Sequence, residues 1–277
     1  MSTATSPAKS PVSHPGVAVV TGASAGIGAV YADRLAARGY DLVLVARRGD
    51  RLDALATRLR AEHGVTVENV VANLANKADL DRVAAAIAAD DRITMLVNNA
   101  GTAKLTTLAN TTAADEAAMI DLNVTALTRL SLAILPAFVR RDHGTIVNIA
   151  SVLSLHTLPI SAVYSATKGY VLNFTRGLQT EVAGKNITVQ LVMPAATRTD
   201  IWELGGIPLS ALNPDHLMSP ENLVDAALAG LDEGETLSLP SLEDASLWTE
   251  FDTARQTLFA ATQRGTPASR YAANAVR

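Results

Sequence analysis

Short runs rich in Val, Ile and Leu recur along the chain, and between them lie longer Ala- and Leu-rich stretches whose apolar positions return every three or four residues. The first pattern suits strands buried on both faces and the second suits amphipathic helices, so their alternation predicts a parallel sheet with helices on both sides. Strands are expected at 17–21, 41–46, 65–72, 93–98, 144–150, 187–193 and 236–240. Helices are expected at 26–38, 50–62, 77–89, 112–141, 162–183 and 221–231, several of them opening on Asp, Thr or Ser at an N-cap. No composition break and no internal repeat marks a second domain. The fold class that follows is α/β, a doubly wound seven-stranded parallel sheet, in which a ligand lies at the carboxyl ends of the strands near the reversal of strand order.

The first strand runs directly into Thr21-Gly22-Ala23-Ser24-Ala25-Gly26-Ile27-Gly28, followed at once by a helical pattern. Glycines permit a tight turn, and a helix N-terminus favours an anion, so this stretch is a candidate cradle for a pyrophosphate. Its spacing, G-x-x-x-G-x-G, differs from the commoner G-x-G-x-x-G. The second strand ends at Ala46-Arg47-Arg48. An acid in that region suits the free ribose of NAD, whereas arginine accommodates the 2′-phosphate of NADP. Two solvated surface charges would give the same residues. Cations just before a helix N-terminus oppose its dipole, however, and a nearby phosphate would explain them. The expected cofactor is NADP(H).

Composition narrows the field. With 48% hydrophobic and 18% charged residues the chain is globular rather than disordered. A net charge of -4 without clustered Lys or Arg gives no electrostatic basis for nucleic-acid binding. The absence of Cys removes disulfides and thiolate chemistry, and the five scattered His show no ligand spacing, so no metal is expected. Residues 1–14 read as a flexible tail without a signal-like apolar core, and the apolar runs elsewhere read as too short or interrupted to span a membrane. A cytoplasmic protein is expected.

In the helical pattern 162–183, Tyr164 and Lys168 stand at i and i+4 and share one face. An ammonium beside a phenol favours phenolate, which would bring a pKa of about 10 toward the working pH and make the tyrosine a general acid/base. Ser151, at the end of a strand, could hydrogen-bond a substrate carbonyl. Packing plus a solvated ammonium would account for the Tyr/Lys pair taken alone.

TGASAGIG at 21–28, NNAG at 98–101, Ser151 with YSATK at 164–168, and MPAATRT at 193–199 appear in that order. On these four motifs the chain resembles the short-chain dehydrogenase/reductase family, over roughly residues 16–242. The resemblance implies a Rossmann-like domain at 15–242, a lid at about 200–218, a C-terminal extension at 243–277, and a homodimer or homotetramer. It implies a catalytic tetrad of Asn123, Ser151, Tyr164 and Lys168, with Asn123 holding a water that connects Lys168 to solvent. It implies cofactor contacts from Gly22, Ser24, Ala25, Gly26, Ile27, Gly28, Arg47, Arg48, Asn73, Leu74, Asn99, Ala100, Gly101, Tyr164, Lys168, Pro194, Thr197 and Thr199. Asn98 reads instead as a structural amide tying neighbouring strands.

Two positions depart from the family pattern. Asn73 stands where an Asp is usual, and Ala195 replaces a glycine, which puts the local turn in question. Substrate contacts are expected from Ser151, Leu153, Tyr164 and Trp202. Ile201, Leu204, Ile207, Leu209, Val152 and Leu155 could extend an apolar wall or serve as core or subunit contacts; His156 fits a loop surface or a substrate contact. The expected activity is an NADPH-dependent carbonyl reductase of uncharged ketones or aldehydes. An NADP-linked dehydrogenase of a small hydroxy acid or alcohol is the alternative, and a non-catalytic NADP-binding sensor a more distant one.

Overall fold

The structure is a computed structural model of the 277-residue chain and describes residues 14–272. The tail expected at 1–14 lies outside the described residues apart from His14, whose Nδ1 accepts a hydrogen bond from the Gly16 amide. The chain divides into two compact units between Ser241 and Leu242.

In the first unit, β1 (Val17–Thr21), β2 (Asp41–Ala46), β3 (Val67–Val71), β4 (Ile93–Asn98), β5 (Gly144–Ile149), β6 (Ile187–Val192) and β7 (Leu237–Ser238) form one parallel sheet in the order β3-β2-β1-β4-β5-β6-β7. The connections are α1 (Gly26–Ala37), α2 (Gly49–His63), α3 (Lys77–Ala89), α4 (Ala113–Ile120), α5 (Leu127–Arg141), α6 (Ala162–Glu181), α7 (Ile201–Leu204) and α8 (Pro220–Asp232). Successive strand residues point to opposite faces, and β1 shows the consequence. Ala18 and Val20 pack with Tyr31, Leu35, Leu52, Val224 and Leu228 from α1, α2 and α8. Val17 and Val19 pack on the other side with Leu80, Ile87, Ile134 and Phe138 from α3 and α5. Each fully buried Leu or Phe gains about 2 kcal/mol from leaving water. The chain leaves β1 toward β2 on one side and reaches β4 on the other, so a crevice opens beyond their carboxyl ends.

Three elements differ from expectation. The third strand begins at Val67 rather than 65, because β2 starts at Asp41 and its ladder pairs Leu42 with Val67. The seventh strand shrinks to two residues at the sheet edge, pairing only with Leu191 and Val192, and Pro240 has no N–H with which to extend it. The helix expected at 112–141 is three pieces: α4, a π-helical segment at Asp121–Ala126, and α5. By length and composition Ala113–Arg141 would suffice to cross a membrane, contrary to the reading of short, interrupted runs, yet half of its most apolar window is buried inside the fold. Ile134 and Phe138 there are fully enclosed against the sheet, as in a core helix.

The second unit contains α9 (Ser246–Thr262) and α10 (Ser269–Ala272), with Leu247, Phe251, Leu258 and Phe259 exposed on α9.

Candidate active site

The floor of the crevice is tied together by one hydroxyl. Thr21 Oγ1 donates to the Val97 carbonyl at 3.1 Å and accepts from the amides of Asn99 and Ala100 at 3.0 Å each, joining the ends of β1 and β4. The Asn99 side chain adds a bond to the Thr21 carbonyl at 2.9 Å. Gly22 adopts φ +68, and a Cβ there would lie 2.9 Å from Ala100 Cα, so both its conformation and its space require glycine. The N-cap of α1 is Ala25, whose methyl group accepts no hydrogen bond, so the first amides of the helix have no side-chain cap where they meet the crevice. At the rim Arg47 is exposed and, among the described residues, makes no hydrogen bond or ion pair. Arg48 is committed, with Nε and Nη2 donating to Ser24 Oγ at 3.2 and 3.0 Å.

Farther along the crevice, Ser151 leaves β5 and its Oγ accepts from the Leu153 amide at 3.1 Å, capping a single turn over Val152–Ser154. Helix α6 carries Tyr164 and Lys168 inward; they are 9% and 6% exposed. Lys168 Nζ donates to the Ile149 carbonyl at 2.9 Å and lies 5.8 Å from the centre of the Tyr164 ring. The direction of the phenol's pKa is opposite to expectation. Burial pushes Tyr164 up to about 12, opposed by a hydrogen bond with Ser151, and burial lowers Lys168 to about 8. Desolvation penalises both charged forms and is the largest influence on each. Burial therefore favours the neutral form of the phenol.

Asn123 sits in the π-helical segment. Its Oδ1 accepts from the Thr102 amide at 2.9 Å while its Nδ2 donates to the Thr102 carbonyl at 2.9 Å and to Thr167 Oγ1 at 3.1 Å. The amide thus binds the loop after β4 to α6. Its side chain faces Gly101, where a Cβ would lie 3.3 Å from Asn123 Oδ1 and 3.7 Å from Lys168 Nζ.

The profile described as short chain dehydrogenase matches residues 16–204. The chain belongs to that family. A short-chain dehydrogenase from Sphingobium yanoikuyae, solved in complex with NADPH, is 46% identical, with a TM-score of 0.89 over 92% of this chain and 100% of its own. The bulky-bulky ketone specific alcohol dehydrogenase from Comamonas testosteroni is 40% identical, with a TM-score of 0.85 over 92% of this chain and 98% of its own. The very-long-chain 3-oxoacyl-CoA reductase of Anas platyrhynchos is 35% identical over 68% of this chain, and the chain spans 61% of that relative's length.

Most of the expected site residues line one cavity of about 410 Å³: Gly22, Ser24, Ala25, Gly26, Ile27, Arg47, Arg48, Asn73, Leu74, Asn99, Ala100, Gly101, Ser151, Leu153, Tyr164, Lys168, Pro194, Thr197, Thr199 and Trp202. Two do not. A Cβ on Gly28 would come within 2.4 Å of the Gly22 carbonyl oxygen, so Gly28 packs the turn from behind; Asn123 lies behind Gly101. Asn98 makes the structural tie expected of it, donating to Ser131 Oγ at 3.0 Å and Asn148 Oδ1 at 2.9 Å. Asn73 accepts from the Ala75 amide through Oδ1. Ala195 does not take the left-handed conformation, so the missing glycine costs no strain. Ile201, Leu204 and Val152 reach the cavity wall, whereas Ile207 and Leu209 do not, and Leu155 and His156 line a separate smaller hollow. Sequence reasoning missed Ala103 and Leu105 on the wall and Thr21, Thr102 and Thr167 behind it. The threonines were already visible inside or beside the quoted motifs; their partners were not. Asp33, Glu62 and His63 approach one another, but Arg58 bonds both acids, at 2.6 and 2.7 Å, and makes the group an ion-pair network.

Proposed function

We propose that this protein is an NADPH-dependent reductase of uncharged ketones or aldehydes, reversible in principle, in which Tyr164 gives a proton to the substrate oxygen. The observation that carries this reading is the placement of Tyr164, buried beside Ser151 and Lys168 on the wall of a mostly apolar cavity. The residues fit a dinucleotide with a 2′-phosphate. The α1 amides without a side-chain cap suit a pyrophosphate, and Arg47, unpaired among the described residues, suits the extra phosphate. When bound, the nicotinamide supplies the hydride.

The remaining work belongs to side chains of this chain. Ser151 donates a hydrogen bond to the carbonyl oxygen and stabilises the negative charge that grows there. Tyr164 transfers its proton to that oxygen as the charge develops. Lys168, anchored on the Ile149 carbonyl, presents its ammonium to the phenolate that remains, a charge it did not need to stabilise in the resting state. Asn123 fixes the loop carrying Gly101 against α6 and so holds the lysine's surroundings in place. Val152, Leu153, Ile201, Trp202 and Leu204 form apolar walls, and Lys168 is the only Lys or Arg on the lining away from the nucleotide rim. This supports an apolar substrate. The NADPH complex of one solved relative and the ketone specificity of the other support the same reading. The test is turnover of NADPH, followed by nicotinamide absorbance, across apolar ketones, aldehydes and 3-oxo acids. Fastest turnover on apolar ketones supports the reading; fastest turnover on a charged substrate, or oxidation of hydroxy acids outpacing every reduction, would overturn it.

A further inference from the structure

We propose that Asp200 is a positioning residue for the nucleotide: it ties the lid across the crevice to Arg48 and Arg51 and so limits the rate at which the cofactor leaves. The inference rests on the reading that a dinucleotide occupies this crevice.

Asp200 immediately precedes α7 and occupies its N-cap position. Asp is among the residues best suited to accept the first amides of a helix. Here it makes no such bond. Its Oδ2 instead accepts from Arg48 Nη1 at 3.4 Å and Arg51 Nη1 at 3.3 Å. Those arginines belong to the start of α2, beyond β2, on the side of the sheet opposite the β6 end from which the lid departs. Arg48 is bound at the same time to Ser24 in the turn before α1. One guanidinium therefore joins the phosphate cradle to the lid, while Arg47 next to it has no partner among the described residues. The three arginines divide their work: Arg47 is left for an anion, and Arg48 and Arg51 close the crevice.

The rest of the lid is arranged for closure. Its two ends meet at a bridge between Thr197 and Met218, and its far side is held by the Leu105 amide donating to the Gly205 carbonyl at 3.0 Å. Between these points the Asp200 pair is the charged tie, and it is half in water: Asp200, Arg48 and Arg51 keep 54%, 41% and 49% of their side chains exposed. Such a pair is weak enough to open repeatedly. A tie that must break before the nucleotide can leave appears mainly in the dissociation rate.

The experiment has two parts. In nucleotide-free protein, amide hydrogen exchange at residues 201–205 should rise about threefold or more in both Asp200→Asn and Arg51→Ala, and return toward the wild-type rate in Asp200→Glu. Arg51 lies outside the lid sequence, so faster lid exchange on its loss reports a tie across the crevice and not a local effect on α7. In stopped flow, release of NADPH should quicken roughly two- to tenfold in Asp200→Asn. Lid exchange unchanged in both variants, or NADPH release unchanged in Asp200→Asn, would overturn the proposal. So would slower NADPH release from Asp200→Asn, because Asp200 would then be competing with the nucleotide's phosphate for the arginines. If wild-type protein fails to bind NADPH, the nucleotide reading fails by itself, and the exchange measurement still decides whether the tie exists.

Discussion

Tyr164 and Lys168 are almost withdrawn from water, while Arg48 and Arg51, at the other end of the same crevice, keep nearly half of their side chains in it. The contrast is between two ways of using charge. At the buried end, desolvation opposes each ionisation, raising the pKa of Tyr164 and lowering that of Lys168, and one hydrogen bond to the Ile149 carbonyl holds the ammonium. At the exposed end, water screens each pair, so the proposed selectivity and closure would rest on several small contributions that are readily made and broken. The chemistry is permanent, and admission to it is adjustable.

The largest effect should come from the buried end. Tyr164→Phe keeps the ring in place and removes the proton donor, so kcat should fall roughly 10²- to 10⁴-fold while NADPH affinity, read by nucleotide fluorescence, stays within about twofold. A variant that retains kcat would mean that another group donates the proton, and the contrast between the two ends would lose its basis.

Next comes the floor of the cradle, which belongs with the buried end although it serves the nucleotide. Gly28→Ala would press a Cβ against the Gly22 carbonyl oxygen and the Asn99 amide, neither of which can swing aside. A loss of about 1–3 kcal/mol in stability is expected from urea denaturation. A neutral result would place the cradle among the adjustable parts.

The third effect separates the two buried partners by pH. Folding lowers Lys168 from its ordinary 10.5 to about 8. Between those values the unfolded chain binds more protons than the native one, so stability should rise with pH across that window. Tyr164 behaves oppositely: its pKa is raised from 10.0 to about 12, the native state holds the proton longer, and stability should fall between those values. In Lys168→Met the rise between about pH 8 and 10.5, measured as the difference from wild type, should vanish. A rise that persists in the variant would assign the buried titration to another group.

The sequence carried the sheet, because β-branched runs buried on both faces have a pattern that local chemistry alone produces. Ser151, Tyr164, Lys168 and most of the glycine-rich turn were legible too, because they lie in or beside short motifs, and they line one cavity, whereas Asn123 lies behind it. What the sequence did not carry was any property that depends on a distant partner. The π-helical segment at Asp121–Ala126 coincides with Asn123 grasping Thr102, twenty-one positions back, and helical periodicity is blind to that bond. The direction of the Tyr164 pKa required knowing that the phenol is enclosed; i, i+4 spacing reports only the neighbour. Likewise Arg47 and Arg48 look interchangeable in the sequence, and only the fold distinguishes the free guanidinium from the one spent on Ser24 and Asp200.

That distinction yields the smallest predicted effect and the most direct comparison within the rim itself. Arg47→Ala removes an exposed cation that holds nothing in the resting protein, so lid exchange and stability should stay at wild-type levels. Affinity for NADPH should fall roughly three- to tenfold with NADH unchanged, because only the former carries the 2′-phosphate. Arg48→Ala removes a guanidinium already bound to cradle and lid, so it should weaken both nucleotides and loosen residues 201–205 together. Equal behaviour of the two variants toward NADPH and NADH would show that both arginines read the phosphate. Divergent behaviour means that neighbouring residues of one type have been given unlike tasks by a single difference, whether the fold supplies the side chain with a partner of its own.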